Sequence, residues 1–308
     1  MLIAALIGAL FASLATILAL NFVAAEKRIE KKITHQYGVA AAQFDRELGT
    51  LLGPAIIDGN AIINLENGAE IFPSMLNAVR GARRSITLET YIYWSGDIGD
   101  EFADALAERA RAGVKVHLLV DWVGSQRMDA GMMERMRSVG VQIERYHPLH
   151  WYHLGRMNNR THRKLLVVDG RIGFTGGVGI APQWTGDAQD PEHWRDMHYQ
   201  VEGPVVAQMQ AVFMDNWIKV SGNVLHGRAY FPQLQPVGRS LGQMFSSSPS
   251  GGSESMLLMY LMSITAATRS IDLSAAYFVP DELTTTALIA AMKRGVKLRV
   301  VLPGEHID

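Results

Sequence analysis

A short segment of the chain carries the residue types needed to act on a phosphate group. His162 and Lys164 are two residues apart, so on a strand they would share one face. Asp169–Gly170 is a strong signal for a two-residue hairpin, and the returning strand ends at Gly176–Gly177, where backbone amides are able to approach an anionic oxygen. An imidazole, a cation and free amides around one point suit attack on phosphorus with stabilisation of the oxygen charge.

The composition excludes several classes of protein. A chain of 308 residues that is 48% hydrophobic and 19% charged is neither a disordered polymer nor a disulfide scaffold. It contains no cysteine, which rules out disulfides, thiolate catalysis and cysteine-based zinc sites, and its net charge of −1 gives no basic field for nucleic acid. His147, His150 and His153 are closely spaced but lack a carboxylate partner, so we expect no metal and no cofactor.

The elements that must position this segment alternate between strand and helix patterns. The apolar spacing predicts a helix over residues 72–84, a strand over 85–94 and a helix over 100–112. Residues 114–121 form a near-continuous apolar run, typical of a strand in a sheet covered on both faces. This alternation predicts an α/β fold.

The chain also repeats part of this pattern. The matching segments are residues 84–88 with 269–273, and residues 113–116 with 295–298. A helical pattern separates the two segments in each copy, and the offset changes only from 185 to 182 residues, so we interpret the similarity as a duplication. We expect a first lobe over residues 51–245, a linker over 246–255 and the start of an incomplete second lobe over 256–308.

The N-terminus predicts a membrane anchor. Residues 2–25 carry no charge, and 24 helical residues span about 36 Å, enough for a hydrocarbon core of about 30 Å. A cleaved signal peptide is the alternative, although the basic start of such a peptide is missing. Four cations follow the span in the juxtamembrane segment 26–50 and none precedes it, which predicts a single-pass membrane protein with its main body in the cytoplasm.

The pattern His-x-Lys-x4-Asp, met by His162, Lys164 and Asp169, resembles the phospholipase D superfamily. The segments ETYIYW at 89–94, NNRTHRKLLVVDGRIGFTGG at 158–177 and WRD at 194–196 are similar to its bacterial cardiolipin synthase branch. The resemblance covers about residues 50–308 and implies a mixed sheet flanked by helices.

The resemblance implies phosphodiester exchange between phospholipids, with phosphatidylglycerol as the typical substrate and no metal. In the family, two copies of the motif meet, one histidine forms a phosphohistidine, and the other protonates the leaving alcohol. His162 would be one of these histidines and Lys164 would bind the phosphate. Asp169 belongs to the motif, but it lies on the opposite strand face from His162 and more simply stabilises the hairpin.

Asp196 lies 34 residues after His162, where family members place a carboxylate that bonds the second ring nitrogen. A salt bridge with Arg195 is the alternative. The sequence departs from the family at Gly179, where asparagine is frequent, and it contains one His-x-Lys-x4-Asp rather than two. A second chain would then complete the site. Two other functions stay open: a phospholipase D-type hydrolase, and a catalytically inactive lipid-binding subunit.

Overall fold

The computed structural model describes residues 2–21, 29–146, 160–247 and 253–304. In its described residues, the chain up to Gly242 begins with two helices and then runs through eight strands. In chain order its elements are α1 (Leu2–Asn21), α2 (Ala42–Leu51), β1 (Ile57–Glu66), α3 (Asn67–Gly81), β2 (Ser85–Thr90), α4 (Asp97–Arg111), β3 (Lys115–Asp121), α5 (Ala130–Ser138), β4 (Gln142–Tyr146), β5 (Leu165–Val168), β6 (Ile172–Gly176), β7 (Met197–Glu202), α6 (Val206–Ser221) and β8 (Ser240–Gly242). The later elements are α7 (Ser253–Ala266), β9 (Ser270–Ser274), α8 (Glu282–Lys293) and β10 (Lys297–Val301).

The eight strands of the first lobe form one mixed sheet in the order β4-β3-β2-β5-β6-β7-β1-β8. Strands β2, β3 and β4 are parallel, and β5 to β7 and β1 continue the sheet in antiparallel pairs. The change of direction between β2 and β5 brings the end of β2 and the start of β5 to one edge of the sheet, because Glu89 pairs with Leu165. The α/β fold with a mixed sheet flanked by helices is therefore confirmed.

Both faces of the central strands are buried, as the continuous apolar pattern predicts. Along β5, Leu166 and Val168 pack into the core beneath α3, α4 and α5, whereas Leu165 and Val167 pack into the core beneath α6. This alternation follows from the two-residue period of a strand. All six residues of β2 are buried, and this packing holds the residues that directly follow the strand in place.

The helix and strand predictions are correct in type and differ at their ends. Helix α3 begins at Asn67 rather than residue 72, because Asn67 adopts a φ of 56° and turns the chain directly from β1 into the helix. Asparagine tolerates this left-handed conformation better than most residues. Strand β2 ends at Thr90, four residues before the predicted end.

The predicted duplication has a structural counterpart. Ser85 pairs with Lys115 in the parallel β2–β3 ladder, and Ser270 pairs with Lys297 in the parallel β9–β10 ladder. The backbone N–H of the lysine donates to the residue before the serine in both units, at 3.1 Å and 2.9 Å. The equal register supports a common origin for the two strand–helix–strand units. The lobe boundaries themselves stay predictions, and residues 248–252 of the expected linker lie outside the described residues.

Within the described parts of the chain, no helix combines the length and the apolarity that crossing a membrane requires. The anchor predicted over residues 1–25 is therefore not confirmed. Its last four residues and the first cations after it lie outside the described residues.

Candidate active site

The site lies where the carboxyl ends of β2 and β3 meet the start of β5. His162 and Lys164 belong to the extended segment just before β5, so the prediction that both lie on a strand is wrong by a few residues: the strand begins at Leu165. Side chains still alternate along the segment. Arg163 points toward α6 and donates to the carbonyl of Val212 at 2.6 Å, whereas His162 and Lys164 lie together on the other side.

The ammonium of Lys164 contacts the imidazole of His162. Its Nζ lies 3.1 Å from Nδ1 and 3.2 Å from Nε2 of the ring, and 3.1 Å from the His162 carbonyl oxygen. A neutral imidazole has one lone-pair nitrogen, so only one of the two ring contacts can be a hydrogen bond at a time. The ring of Tyr91, just beyond β2, lies 4.9 Å from the His162 ring and bounds the pair on one side.

Burial and mutual charge shift the pKa values of this pair. Burial lowers the pKa of His162 below its usual value, and the nearby Lys164 cation lowers it further. The negative charge of Asp121 has the opposite, smaller effect. Burial lowers the pKa of Lys164 to about 8, and Asp196 partly opposes that shift. The arrangement keeps a neutral imidazole beside a cation at neutral pH, which is the protonation state that a nitrogen nucleophile needs.

Two fully buried carboxylates hold the residue before the histidine. Glu89 at the end of β2 accepts a hydrogen bond from the Thr161 hydroxyl, and Asp121 at the end of β3 accepts one from the Thr161 amide at 3.1 Å. Asn216 of α6 also donates to Glu89, at 2.7 Å, and burial raises the pKa of that carboxyl. We did not predict Glu89 or Asp121 as site residues, although the carboxyl ends of parallel strands are where such groups are expected.

Asp196 lies close to the pair but bonds other groups. Its Oδ2 accepts from the Trp184 indole at 3.0 Å and its Oδ1 from the Met197 amide at 2.8 Å. The Asp196 amide donates to Oδ1 of Asn67 at 3.1 Å, and the Asn67 amide donates to the Asp196 carbonyl at 3.0 Å. No hydrogen bond joins Asp196 to His162, both of which the structure describes, so Asp196 acts on the pair through its charge beside Lys164.

The alternative of a salt bridge between Asp196 and its neighbour is wrong, because Arg195 pairs with Glu66 at 2.5 Å. Burial raises the pKa of Asp196, while the Met197 amide, the Trp184 indole and Lys164 act in the opposite direction.

Asp169 does not join the site. It lies at the far end of β5, where its carboxylate accepts the backbone amides of Arg83, Arg84 and Ser85. Asp169 and Gly170 have φ values of 54° and 63°, as a two-residue hairpin of the predicted kind requires. The structure therefore corrects the placement of Asp169 in the catalytic set: its contacts anchor the start of β2.

Gly176 and Gly177 also have a different part from the one predicted. The Gly177 amide is not free for a phosphate oxygen, because it donates to the Met197 carbonyl at 3.1 Å. A Cβ at Gly177 would lie 2.2 Å from Oδ1 of Asp196, and one at Gly176 would lie 2.6 Å from Nδ1 of His198. The small residues are needed because the Asp196 carboxylate, the Met197 carbonyl and His198 occupy the space above them.

The departure at Gly179 has a similar cause. A Cβ there would lie 2.9 Å from Cβ of Ile92 and 3.0 Å from the Trp184 ring, so an asparagine does not fit this backbone.

His198 is a further site residue that the sequence analysis missed. It lies on β7 opposite Gly176 and is 1% exposed. Its sequence signal is weak, although it follows Asp196 by two residues and so shares its side of the strand.

No group of three or more metal-ligating side chains occurs in the described parts of the chain. His147, His150 and His153 lie outside the described residues.

Comparison with known proteins agrees with this geometry. Residues 75–217 match the family described as "Cardiolipin synthase, PLD-like domain". The fold is that of a phospholipase D-like domain. These comparisons support a protein of the phospholipase D superfamily that is similar to the bacterial cardiolipin synthases.

Two such relatives illustrate the extent of the similarity. The chain is 32% identical over 276 residues to cardiolipin synthase A of Pseudomonas fluorescens, which covers 89% of this chain and 57% of that protein. It is 36% identical over 246 residues to a probable cardiolipin synthase of Bacillus subtilis, which covers 79% of this chain and 49% of that protein. The chain thus spans about half the length of the curated relatives it matches.

A solved structure shares the fold. Phosphatidylserine synthase of Haemophilus influenzae superposes with a TM-score of 0.59 at 12% identity, covering 84% of this chain and 65% of that one. At this identity the similarity concerns the fold alone.

Proposed function

We propose that this chain belongs to a phosphatidyltransferase of cardiolipin synthase type that exchanges phosphodiesters between phospholipids. The observation that carries the proposal is the contact between the neutral His162 imidazole and the buried Lys164 ammonium, with the ring nitrogens 3.1 and 3.2 Å from Nζ. The relatives named as cardiolipin synthases support phospholipids as the substrate class.

The proposed reaction has two steps at phosphorus. A ring nitrogen of His162 attacks the phosphodiester, a P–N bond forms, and the P–O bond to the leaving alcohol breaks as that oxygen takes a proton from a general acid. The hydroxyl of a second phospholipid then gives its proton to the same group, now a base, and attacks phosphorus. A P–O bond forms and the P–N bond breaks, which restores His162. Lys164 neutralises the non-bridging oxygens in both steps.

The general acid and base must come from outside the described cluster. Lys164 is committed to the phosphate, and the described His198 is buried with no exposed ring nitrogen. By the family resemblance we propose a histidine of a second His-x-Lys site for this role, contributed by a partner site or by a second chain. The negative charge of Asp196 favours the protonated form of Lys164, and Glu89 and Asp121 hold the backbone that carries His162.

The test uses vesicles that contain two phosphatidylglycerols with different acyl chains. Mass spectrometry then separates the outcomes: mixed-chain cardiolipin plus glycerol is transfer, and phosphatidic acid plus glycerol is hydrolysis. We expect cardiolipin, and His162→Ala should lower its rate by about a thousandfold or more, as for other lost nucleophiles. His226→Ala is the matched control, because His226 is exposed and far along the chain from the motif.

Phosphatidic acid as the sole product would replace the transferase proposal with a phospholipase D-type hydrolase. The third candidate is a lipid-binding subunit without catalysis, which is favoured by the single His-x-Lys-x4-Asp of the sequence. Vesicle binding without any product and without an acid-labile phosphate on His162 would support that candidate and contradict the transferase.

We also propose that residues 1–25 hold the protein in the bacterial inner membrane, with the main body on the cytoplasmic side. The support is the uncharged sequence of residues 2–25 and the exposed apolar side chains of Leu10 and Phe11 on α1. Retention in the membrane fraction after carbonate extraction is the expected result, and release into the supernatant would contradict it.

A further inference from the structure

A buried histidine without a partner lies beside the site. The ring of His198 occupies the space over Gly176, which faces it in the β6–β7 ladder. Neither Nδ1 nor Nε2 has a hydrogen-bond partner among the described residues, and the side chain is 1% exposed. Buried polar groups are nearly always hydrogen-bonded, since an unmade bond costs about 1–3 kcal/mol, so two unused ring nitrogens require an explanation.

The neighbouring Lys164 has the complementary need. Its ammonium has three N–H donors, and the residue as a whole is 9% exposed. The acceptors in contact with it, a ring nitrogen and the carbonyl oxygen, both belong to His162. Because the His162 imidazole is needed as a nucleophile, a second acceptor for the ammonium would free that ring nitrogen to attack.

The charges around Lys164 show which group can accept. Asp196 stabilises the ammonium by its charge, but no hydrogen bond joins these two described residues, and the carboxylate oxygens accept from Trp184 and Met197 instead. Tyr91 presents only its ring face, with the centroid 5.9 Å from Nζ. Leu165 pairs with Thr175 and Gly176 pairs with His198, so Lys164, which precedes Leu165, and His198 lie on either side of Gly176. Burial together with the Lys164 charge keeps the His198 imidazole neutral, with a pKa lowered to about 4. A neutral imidazole has one free lone pair.

We propose that His198 is a positioning residue for Lys164: its neutral imidazole accepts a hydrogen bond from the ammonium through one bridging water, since the structure shows no direct bond between them, and so holds the charge at the phosphate when His162 attacks. The inference rests on the proposed function for the role of Lys164 in catalysis. The proposed hydrogen bond between the two side chains does not depend on that function and is tested separately.

The first experiment measures the titration of Lys164 without any turnover. The protein is labelled with ¹³C at the lysine Cε positions, and the Lys164 resonance is assigned by its loss in Lys164→Met. His198→Leu keeps much of the ring volume but removes the acceptor, whereas His198→Asn keeps an acceptor. We expect His198→Leu to lower the pKa of Lys164, about 8 in the native chain, by about one unit, which is a tenfold loss of the protonated fraction above that pH. His198→Asn should shift it far less.

Activity gives a second readout. His198→Leu should lower kcat and move the basic limb of the pH–rate profile to lower pH, with little change in KM, because the phosphate loses its charge partner in the reaction steps. His198→Asn should restore most of the rate. A residue that only fills space would lower stability without moving the basic limb.

The native histidine allows a test that needs no substitution at position 198. In ¹⁵N spectra of the imidazoles, Lys164→Met should raise the pKa of His198, because the nearby cation is removed. An unchanged His198 titration in Lys164→Met, or an unchanged Lys164 titration in folded His198→Leu, would overturn the proposal. If both titrations move but no lipid product ever forms, the contact stands and the proposed function is wrong.

Discussion

The hydrogen bonds of Asp169 predict that the third residue of the motif contributes to stability and not to the chemical step. The change is Asp169→Asn, which keeps the left-handed turn because asparagine tolerates a φ near 54°. The native carboxylate accepts the amides of Arg83 at 3.0 Å, Arg84 at 2.7 Å and Ser85 at 3.0 Å. The amide side chain has one acceptor oxygen, and its NH₂ group would face a backbone N–H.

The magnitude follows from these bonds. A hydrogen bond to a charged group contributes about 1.5–3 kcal/mol, and one between neutral groups about 0.5–1.5 kcal/mol. Asp169→Asn loses one bond and weakens the others, so we expect the free energy of unfolding to fall by about 2–4 kcal/mol. The kcat of the folded fraction should stay within about threefold, because Asp169 touches neither His162 nor Lys164.

Urea unfolding at neutral pH and turnover at a temperature where the variant is folded measure the two quantities. Asp104→Asn is the matched control: Asp104 is exposed on α4 and should change stability by less than about 0.5 kcal/mol. A variant with native stability and a hundredfold loss of kcat would refute the reasoning and return Asp169 to the catalytic set.

Three further perturbations test the site. Gly177→Ala should displace the Asp196 carboxylate, which lies 2.2 Å from the new Cβ, and destabilise the fold by about 1–3 kcal/mol in thermal unfolding. The control Gly81→Ala has open space around the new Cβ and should be neutral or slightly stabilising. Equal melting temperatures for the two variants would contradict the steric argument. Glu89→Leu leaves Thr161 and Asn216 without their acceptor, so it should lower the free energy of unfolding by about 2–4 kcal/mol and reduce turnover of the remaining folded enzyme. Glu89→Gln should cost less, because the native carboxyl has a raised pKa. Equal urea midpoints for the two variants would show that these bonds contribute little. The lowered pKa of His162 places the acidic limb of the kcat/KM profile below about pH 6.5, because the imidazole nucleophile is lost to protonation only as the pH falls through the pKa of His162. An acidic limb above about pH 6.5 would show that another group controls this part of the profile.

The parts of the site that depend on local sequence could be predicted. The Asp169–Gly170 turn follows from residue types that accept positive φ, and the repeated strand–helix–strand unit follows from apolar periodicity. The proximity of His162 and Lys164 follows from the alternation of an extended backbone, even though the strand begins only at Leu165.

The parts that depend on strand order could not be predicted. Glu89 reaches Thr161 because β2 pairs with β5, and the two residues are 72 positions apart. His198 enters the site because of the β6–β7 register that sets it opposite Gly176. No local pattern encodes either pairing. The predicted hydrogen bonds of the Gly177 amide and of the Asp196 carboxylate were wrong for the same reason. Their actual partners, the Met197 carbonyl and the Trp184 indole, are brought into place only by the folded sheet.

The order in which strands join the sheet also bears on how the protein is made. Strands β5 and β6 are joined by a tight turn, and both strands that pair with β5, namely β2 and β6, lie before Asp196 in the chain. Asp196 and His198 arrive only with β7, whose other neighbour, β1, lies about 140 residues earlier in the chain. A ribosome must therefore synthesise the chain through Asp196 before the ammonium gains its carboxylate support. A nascent chain that has reached the hairpin carries the imidazole and the ammonium without the groups that hold them ready.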